Sequence, residues 1–204
     1  MKLRYGTAAL GILLGACTED TSRRLPVPPS AEEGRGAVDS IFPIEEEIRR
    51  FQAGLPDTAG ELAGGAASRD TLVRRFMTAL ERADTAAFAP MAVTRAEFGY
   101  LYFPESRFSR PPYRTKPGLL WGRLQDGSSR GINRAFVRLG GRPLGFERSD
   151  CPADPVVEGE NRVWEGCTVT LRAAGADSAR TLRLFGSLLE RGGTWKFLSY
   201  SNDL

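Results

Sequence analysis

The 204-residue chain contains no histidine. That absence removes the side chain most often used as a general base and the commonest metal ligand. Ser-His-Asp and Cys-His catalytic arrangements are excluded outright. Lysine is nearly as scarce: Lys2, Lys116 and Lys196 stand among 28 basic residues, so arginine carries the positive charge. No serine has a lysine three residues later, which leaves no Ser-x-x-Lys pair. Cysteine occurs three times, at 17, 151 and 167. A tetrahedral thiolate site built on Cys151 and Cys167 would need two more soft ligands, and after Cys17 the chain has no histidine and no other cysteine. The acids Glu147, Asp150, Asp154, Glu158, Glu160 and Glu165 lack calcium-loop spacing and are interrupted by Pro152 and Pro155. No metal, no cofactor and no catalytic residue is therefore expected. The formal charge of +3 falls short of the basic excess of a nucleic-acid binder, so nucleic acid is not an expected partner.

What is present begins with Met1-Lys2-Leu3-Arg4, a short apolar run from Gly6, and Leu14-Gly15-Ala16-Cys17. A basic start, a brief apolar stretch and small residues before a cut describe a secretory signal. The apolar run is too short to span a bilayer. Leu14-Gly15-Ala16-Cys17 resembles the lipobox of bacterial lipoproteins. The resemblance implies cleavage after Ala16, lipid on Cys17, and attachment to the periplasmic side of a bacterial envelope. Thr18 in place of an aspartate points to the outer membrane. Loss of residues 1–16 removes Lys2 and Arg4, so the balance falls from +3 to +1. Cys151 and Cys167 then remain as an even pair in an oxidising compartment, and a disulfide is expected between them. The loop it closes is short, for a chain-entropy contribution of roughly 3 kcal/mol. Residues 17–38 hold Pro26, Pro28, Pro29, Gly34 and Gly36 and few large apolar groups, and read as a flexible tether. Residues 39–204 suffice for a single domain.

Within that domain the apolar period is helical at first. Ile41, Ile44, Ile48, Phe51 and Leu55 form one stripe; Leu72, Val73, Phe76, Met77 and Leu80 form another behind the cap residue Ser68. Thr94 and Glu97 have capping-box spacing, which predicts a helix from Arg95 to about Tyr102. Leu119 to Leu124 and Ile132 to Leu139 read as two helical pieces with Gly127–Gly131 between them. From Pro143 the period becomes two, predicting strands over 143–150, 162–173, 179–190 and 194–202, with a hairpin at Gly192-Gly193. The expected fold is α+β: N-terminal helices packed on a four-stranded antiparallel meander. Helices followed by a meander that ends Gly-Thr-Trp-Lys-Phe-Leu-Ser-Tyr resemble the cystatin-like roll of the nuclear transport factor 2-like superfamily. That resemblance implies a curved sheet around a helix with a conical cavity. One register check is awkward. Placing Cys151 opposite Cys167 sets Ser149 against Val169 and turns Leu144 and Phe146 away from Val169 and Leu171. Either a bulge intervenes or the disulfide ties a loop to a strand.

Three groups are candidates for function. Gly127-Ser128-Ser129-Arg130-Gly131 fits the spacing of a nucleophile elbow, but there is no strand before it and no histidine. A helix opening at Gly131 would instead offer free N–H groups to an anion beside Arg130. Arg130, Arg134 and Arg138 recur on one helical face, and from Arg107 to Arg142 nine basic residues meet one acid, Asp126. Such a face suits an anionic surface or an acidic protein. The competing reading is a solvated face that pairs with the acids of 147–165. Last, Glu97, Tyr100 and Tyr102 lie in an aromatic-rich stretch that can line a pocket. The leading expectation is a membrane-tethered, non-enzymatic binding domain. The alternatives are a small isomerase- or hydratase-like enzyme using a buried carboxylate such as Glu97, and an assembly subunit that docks an acidic partner.

Overall fold

Residues 42–58 and 60–204 are described by the computed structural model. The expected signal, the expected tether and Cys17 lie outside the described residues. Helix α1 (Ile44–Gln52) follows Pro43 and carries Glu45, Glu46 and Glu47 in its first turn, where the helix dipole favours them. It buries Phe51. Helix α2 (Arg69–Glu81) starts where the Ser68 hydroxyl accepts the Thr71 N–H, and it buries Leu72, Val73, Phe76, Met77, Ala79 and Leu80. A single turn, α3 (Phe88–Met91), follows. Helix α4 (Arg95–Glu97) opens with the expected capping box between Thr94 and Glu97. It runs on as a π-helical turn over Phe98–Tyr102 and a 3-10 turn over Phe103–Glu105.

The next helix corrects the sequence reading. Helix α5 (Pro117–Leu139) is one continuous element of 23 residues, not two pieces around Gly127–Gly131. Glycine inside a helix costs about 1 kcal/mol relative to alanine, which is why the segment reads as a break. The compensation is tertiary. The C-terminal residues cross α5 so closely that a Cβ on Gly131 would stand 2.0 Å from the Tyr200 carbonyl oxygen.

Seven strands follow: β1 (Phe146–Asp150), β2 (Val156–Glu158), β3 (Asn161–Glu165), β4 (Thr168–Leu171), β5 (Arg180–Leu182), β6 (Ser187–Arg191) and β7 (Thr194–Phe197). They form two antiparallel sheets, β1-β4-β5 and β2-β3-β6-β7. The fold is α+β, as expected, with the expected long strands bent in two. Strands β3 and β4 are separated only by Gly166, at φ 76°, and Cys167. A left-handed residue of that kind breaks the pleat. The short strand β2 is additional, and β7 ends at Phe197, short of the expected 202. The register question resolves as a bulge. Ser149 opposes Val169 while Phe146 opposes Leu171, with the slip between Phe146 and Arg148. Phe146 thereby packs at the core, and Cys151 is bonded to Cys167.

The four-stranded sheet is covered on both faces. Trp164, Leu188 and Phe197 align across β3, β6 and β7 and join the cluster around α2. Val163, Leu189 and Lys196 align on the other face, where Val163 and Leu189 pack in the cluster of Phe51, Phe98, Tyr102 and Phe103. Two-sided cover explains why Leu188, Leu189 and Glu190 are consecutively buried. On the α2 face Phe76 touches Phe88, Phe185, Phe197 and Tyr200 with ring centroids 5.3–5.9 Å apart. Among the described residues no helix is long and apolar enough to cross a membrane.

Candidate functional site

Glu97 stands where α4 meets the sheet. Its side chain is 3% exposed, and that of Lys196 on β7 is 1% exposed. The Lys196 ammonium donates to both Glu97 oxygens, at 2.9 and 2.8 Å, and to the Ala63 carbonyl at 2.8 Å. An ammonium has three donors, and all three are engaged. The carboxylate also accepts the Ala63 N–H at 2.8 Å and the Thr94 N–H at 2.7 Å. Every polar group in this buried pair therefore has a partner. Neither oxygen is left to take a proton from a substrate, and the chemistry available here is structural.

Tyr102 is buried beside Glu97's helix, with its phenol pushed well above the ordinary range, first by desolvation and then by the nearby Glu158 carboxylate. Tyr100 is half-buried, and its hydroxyl donates to the Gln52 carbonyl at 3.3 Å. These three candidates share one turn of chain but face different surroundings, and none lines the clefts described below. A second polar group continues along the same sheet face. Arg191 donates to Glu105 at 3.1 Å, and Asn161 donates to the Leu101 carbonyl at 2.8 Å and to Glu105 at 3.0 Å. The π-helical turn widens the helix and leaves carbonyls without the usual helical partner. Asn161 and Gln52 satisfy those of Leu101 and Gly99. Sequence reasoning missed this network, because its members come from four separated segments.

The arginine triplet divides. Arg130 and Arg138 are exposed, and their guanidinium groups make no ion pair among the described residues. Arg134 is half-buried and donates to the Asn202 side chain at 3.2 Å and to its carbonyl at 2.7 Å. Asn202 in turn donates to the Gly131 carbonyl at 2.8 Å and to that of Leu184 at 3.2 Å. Five of the acids of 147–165 pair elsewhere: Glu147 with Arg172, Asp150 with Arg148, Glu158 and Glu165 with Arg107, and Glu160 with Arg191. Ser128, the serine of the elbow-like motif, accepts the Tyr200 N–H at 3.0 Å. Gly127-Ser128-Ser129-Arg130-Gly131 is thus the surface on which the C-terminal strip lies. With α5 continuous, no helix start exists at Gly131, and the anion site expected there is withdrawn.

Concave surface lies elsewhere. The outward stripe of α2 faces α3 and Gly64-Gly65 across an open cleft of about 570 Å³. Ala79 and Met91 floor it, and Arg74, Arg75 and Arg82 stand around it. A second cleft, of about 520 Å³, separates the start of α1 from Arg110, Arg114 and Lys116. Among the described residues no group of three acids or cysteines is placed to hold a metal ion. No family model, curated protein or solved structure matches the chain.

Proposed function

We propose that this protein is an envelope lipoprotein, anchored through lipid on Cys17 with residues 1–16 removed and delivered to the periplasmic side, whose folded part works by binding and not by catalysis. We read the fold as a roll of the nuclear transport factor 2-like kind whose interior is filled with side chains. The observation that carries the non-enzymatic reading is the closed pair of Glu97 and Lys196, in which the one buried carboxylate considered for acid-base work is already saturated. The anchor rests on Leu14-Gly15-Ala16-Cys17 and on the disulfide, which suits an oxidising compartment. Intact mass of the membrane-extracted protein tests it. The expected result is loss of residues 1–16 and a diacylglyceryl group on Cys17. A retained Met1 or an unmodified Cys17 overturns the anchor.

A second reading has its own observation. Arg123, Arg130 and Arg138 are exposed along α5 and unpaired among the described residues. A filled core with an exposed arginine face suits a subunit that docks an anionic surface or an acidic protein. Arg130→Gln combined with Arg138→Gln separates that reading from a merely solvated helix.

A further inference from the structure

We propose that the cleft between α2 and α3 binds a monomeric anionic amphiphile, one hydrocarbon chain ending in a carboxylate or phosphate. This rests on reading the domain as a binding module, but not on its anchor. The cleft's volume, about 570 Å³, lies within the range of about 300–1,000 Å³ usual for small-molecule sites. Its floor and its rim ask for different chemistry. Ala79 and Met91, each 4% exposed, present apolar atoms at the base, with Ala87 and Pro90 beside them. A polar group laid there would lose water without gaining a partner. A hydrocarbon chain would not.

The rim is cationic. Arg74 and Arg75 project from one turn of α2, and Arg82 stands at its C-cap, about two turns on. Arg75 gives Nη1 to the Gly65 carbonyl at 2.5 Å and keeps its other donors. The Arg82 guanidinium has no partner among the described residues. Arg74 stands 3.5 Å from Asp70, an exposed pair, with its guanidinium over the Phe146 ring at 5.2 Å from the centroid, contacts that leave donors free for an anion. The acid lining the cleft, Asp84, is turned to the backbone: one oxygen accepts the N–H groups of Ala86 and Ala87 at 3.1 and 3.2 Å. A cationic ligand would meet three guanidinium groups and one occupied carboxylate. A planar oxyanion meets forked donors suited to it. A bare anion would leave the apolar floor wet, so both parts of the ligand are needed. A chain seated on Ala79 and Met91 has left any bilayer, which is why the ligand is a monomer.

Titration calorimetry on the full chain with Cys17→Ser, so that no lipid of its own competes, tests this. The probes are dodecanoate and dodecyl phosphate below their micelle concentrations, dodecyl maltoside as the uncharged chain, and acetate and inorganic phosphate as heads without chains. Both anionic chains should bind, at least tenfold more tightly than any of the other three. Arg82→Gln should weaken them at least tenfold. Thr78→Trp, at an exposed position of α2 on the cleft, should abolish binding with the melting temperature unchanged. Equal binding of dodecyl maltoside, equal binding of the bare anions, or binding that survives Thr78→Trp would each overturn the proposal. So would displacement of dodecyl phosphate by phosphatidylglycerol vesicles, which would assign the site to a bilayer headgroup. A failed titration beside a lipidated Cys17 by intact mass would sink the cleft and leave the anchor standing.

Discussion

Lys196 is the residue on which the arrangement turns. The chain uses arginine almost everywhere, yet places a lysine where one compact cation must reach a carboxylate and a carbonyl together. A guanidinium presents five donors in a rigid plane and would leave some of them unpaired there. Removing one partner of a buried pair strands the other charge, at a cost of about 3–5 kcal/mol. Lys196→Met should therefore lower the denaturant-derived stability by about that amount, because Glu97 stays behind. A change below about 1 kcal/mol, within the range of exposed pairs, would mean that water reaches the carboxylate and that the site is open to chemistry after all. Half of this was legible in the chain. Thr94 and Glu97 announce a capping box, a signal contained in four residues. The partner lies 99 residues away in sequence, and nothing local ties Trp195-Lys196-Phe197 to it.

At the scale of the element, α5 is where propensity and packing disagree. Gly127 and Gly131 argue locally for a break, but the C-terminal strip needs the missing side chain of Gly131, whereas a Cβ on Gly127 would only touch Ser201 at 3.6 Å. The same helix carries two kinds of arginine. Arg134→Gln should cost about 1–3 kcal/mol, because it cuts the bonds that seat Asn202 and leaves partly buried acceptors. Arg130→Gln combined with Arg138→Gln should leave the melting temperature almost unchanged, since exposed charges contribute roughly 0–1 kcal/mol. That double variant should cosediment less with anionic vesicles or envelope extracts, with the loss greatest at low salt. Unchanged cosedimentation would return α5 to an ordinary solvated face. The four-residue spacing of Arg130, Arg134 and Arg138 was visible in sequence; that the middle one is spoken for was not.

Across the whole molecule, two buried phenols, Tyr102 and Tyr200, tie stability to alkaline pH. Desolvation raises Tyr200, whose hydroxyl donates to the Phe88 carbonyl at 2.8 Å, and Tyr102 is raised for the same leading reason. The folded state holds these protons more tightly than the unfolded chain, in which a phenol titrates near pH 10. Their contribution to stability is thus complete below about pH 10 and is lost as pH rises toward the folded values. In an absorbance titration, Tyr102 and Tyr200 should ionise in one cooperative step with the loss of near-ultraviolet dichroism. Tyr200→Phe should remove part of that step's amplitude. Ionisation of Tyr200 while the dichroism persists would show that its surroundings are wet.

Short-range signals were enough to place the helical stripes, the caps at Ser68 and Thr94, the turn at Gly192-Gly193, the α+β order of elements and the Cys151–Cys167 bond. Each is carried by residues a few positions apart, or by a cysteine count, so the chain states it without folding. The continuity of α5, the partner of Glu97, the fate of Arg134, the second cover over the sheet and the arginine-rimmed cleft were settled in three dimensions. They depend on segments tens of residues apart approaching within a few ångströms. Periodicity tells which face of an element is apolar, but not which distant group will meet it.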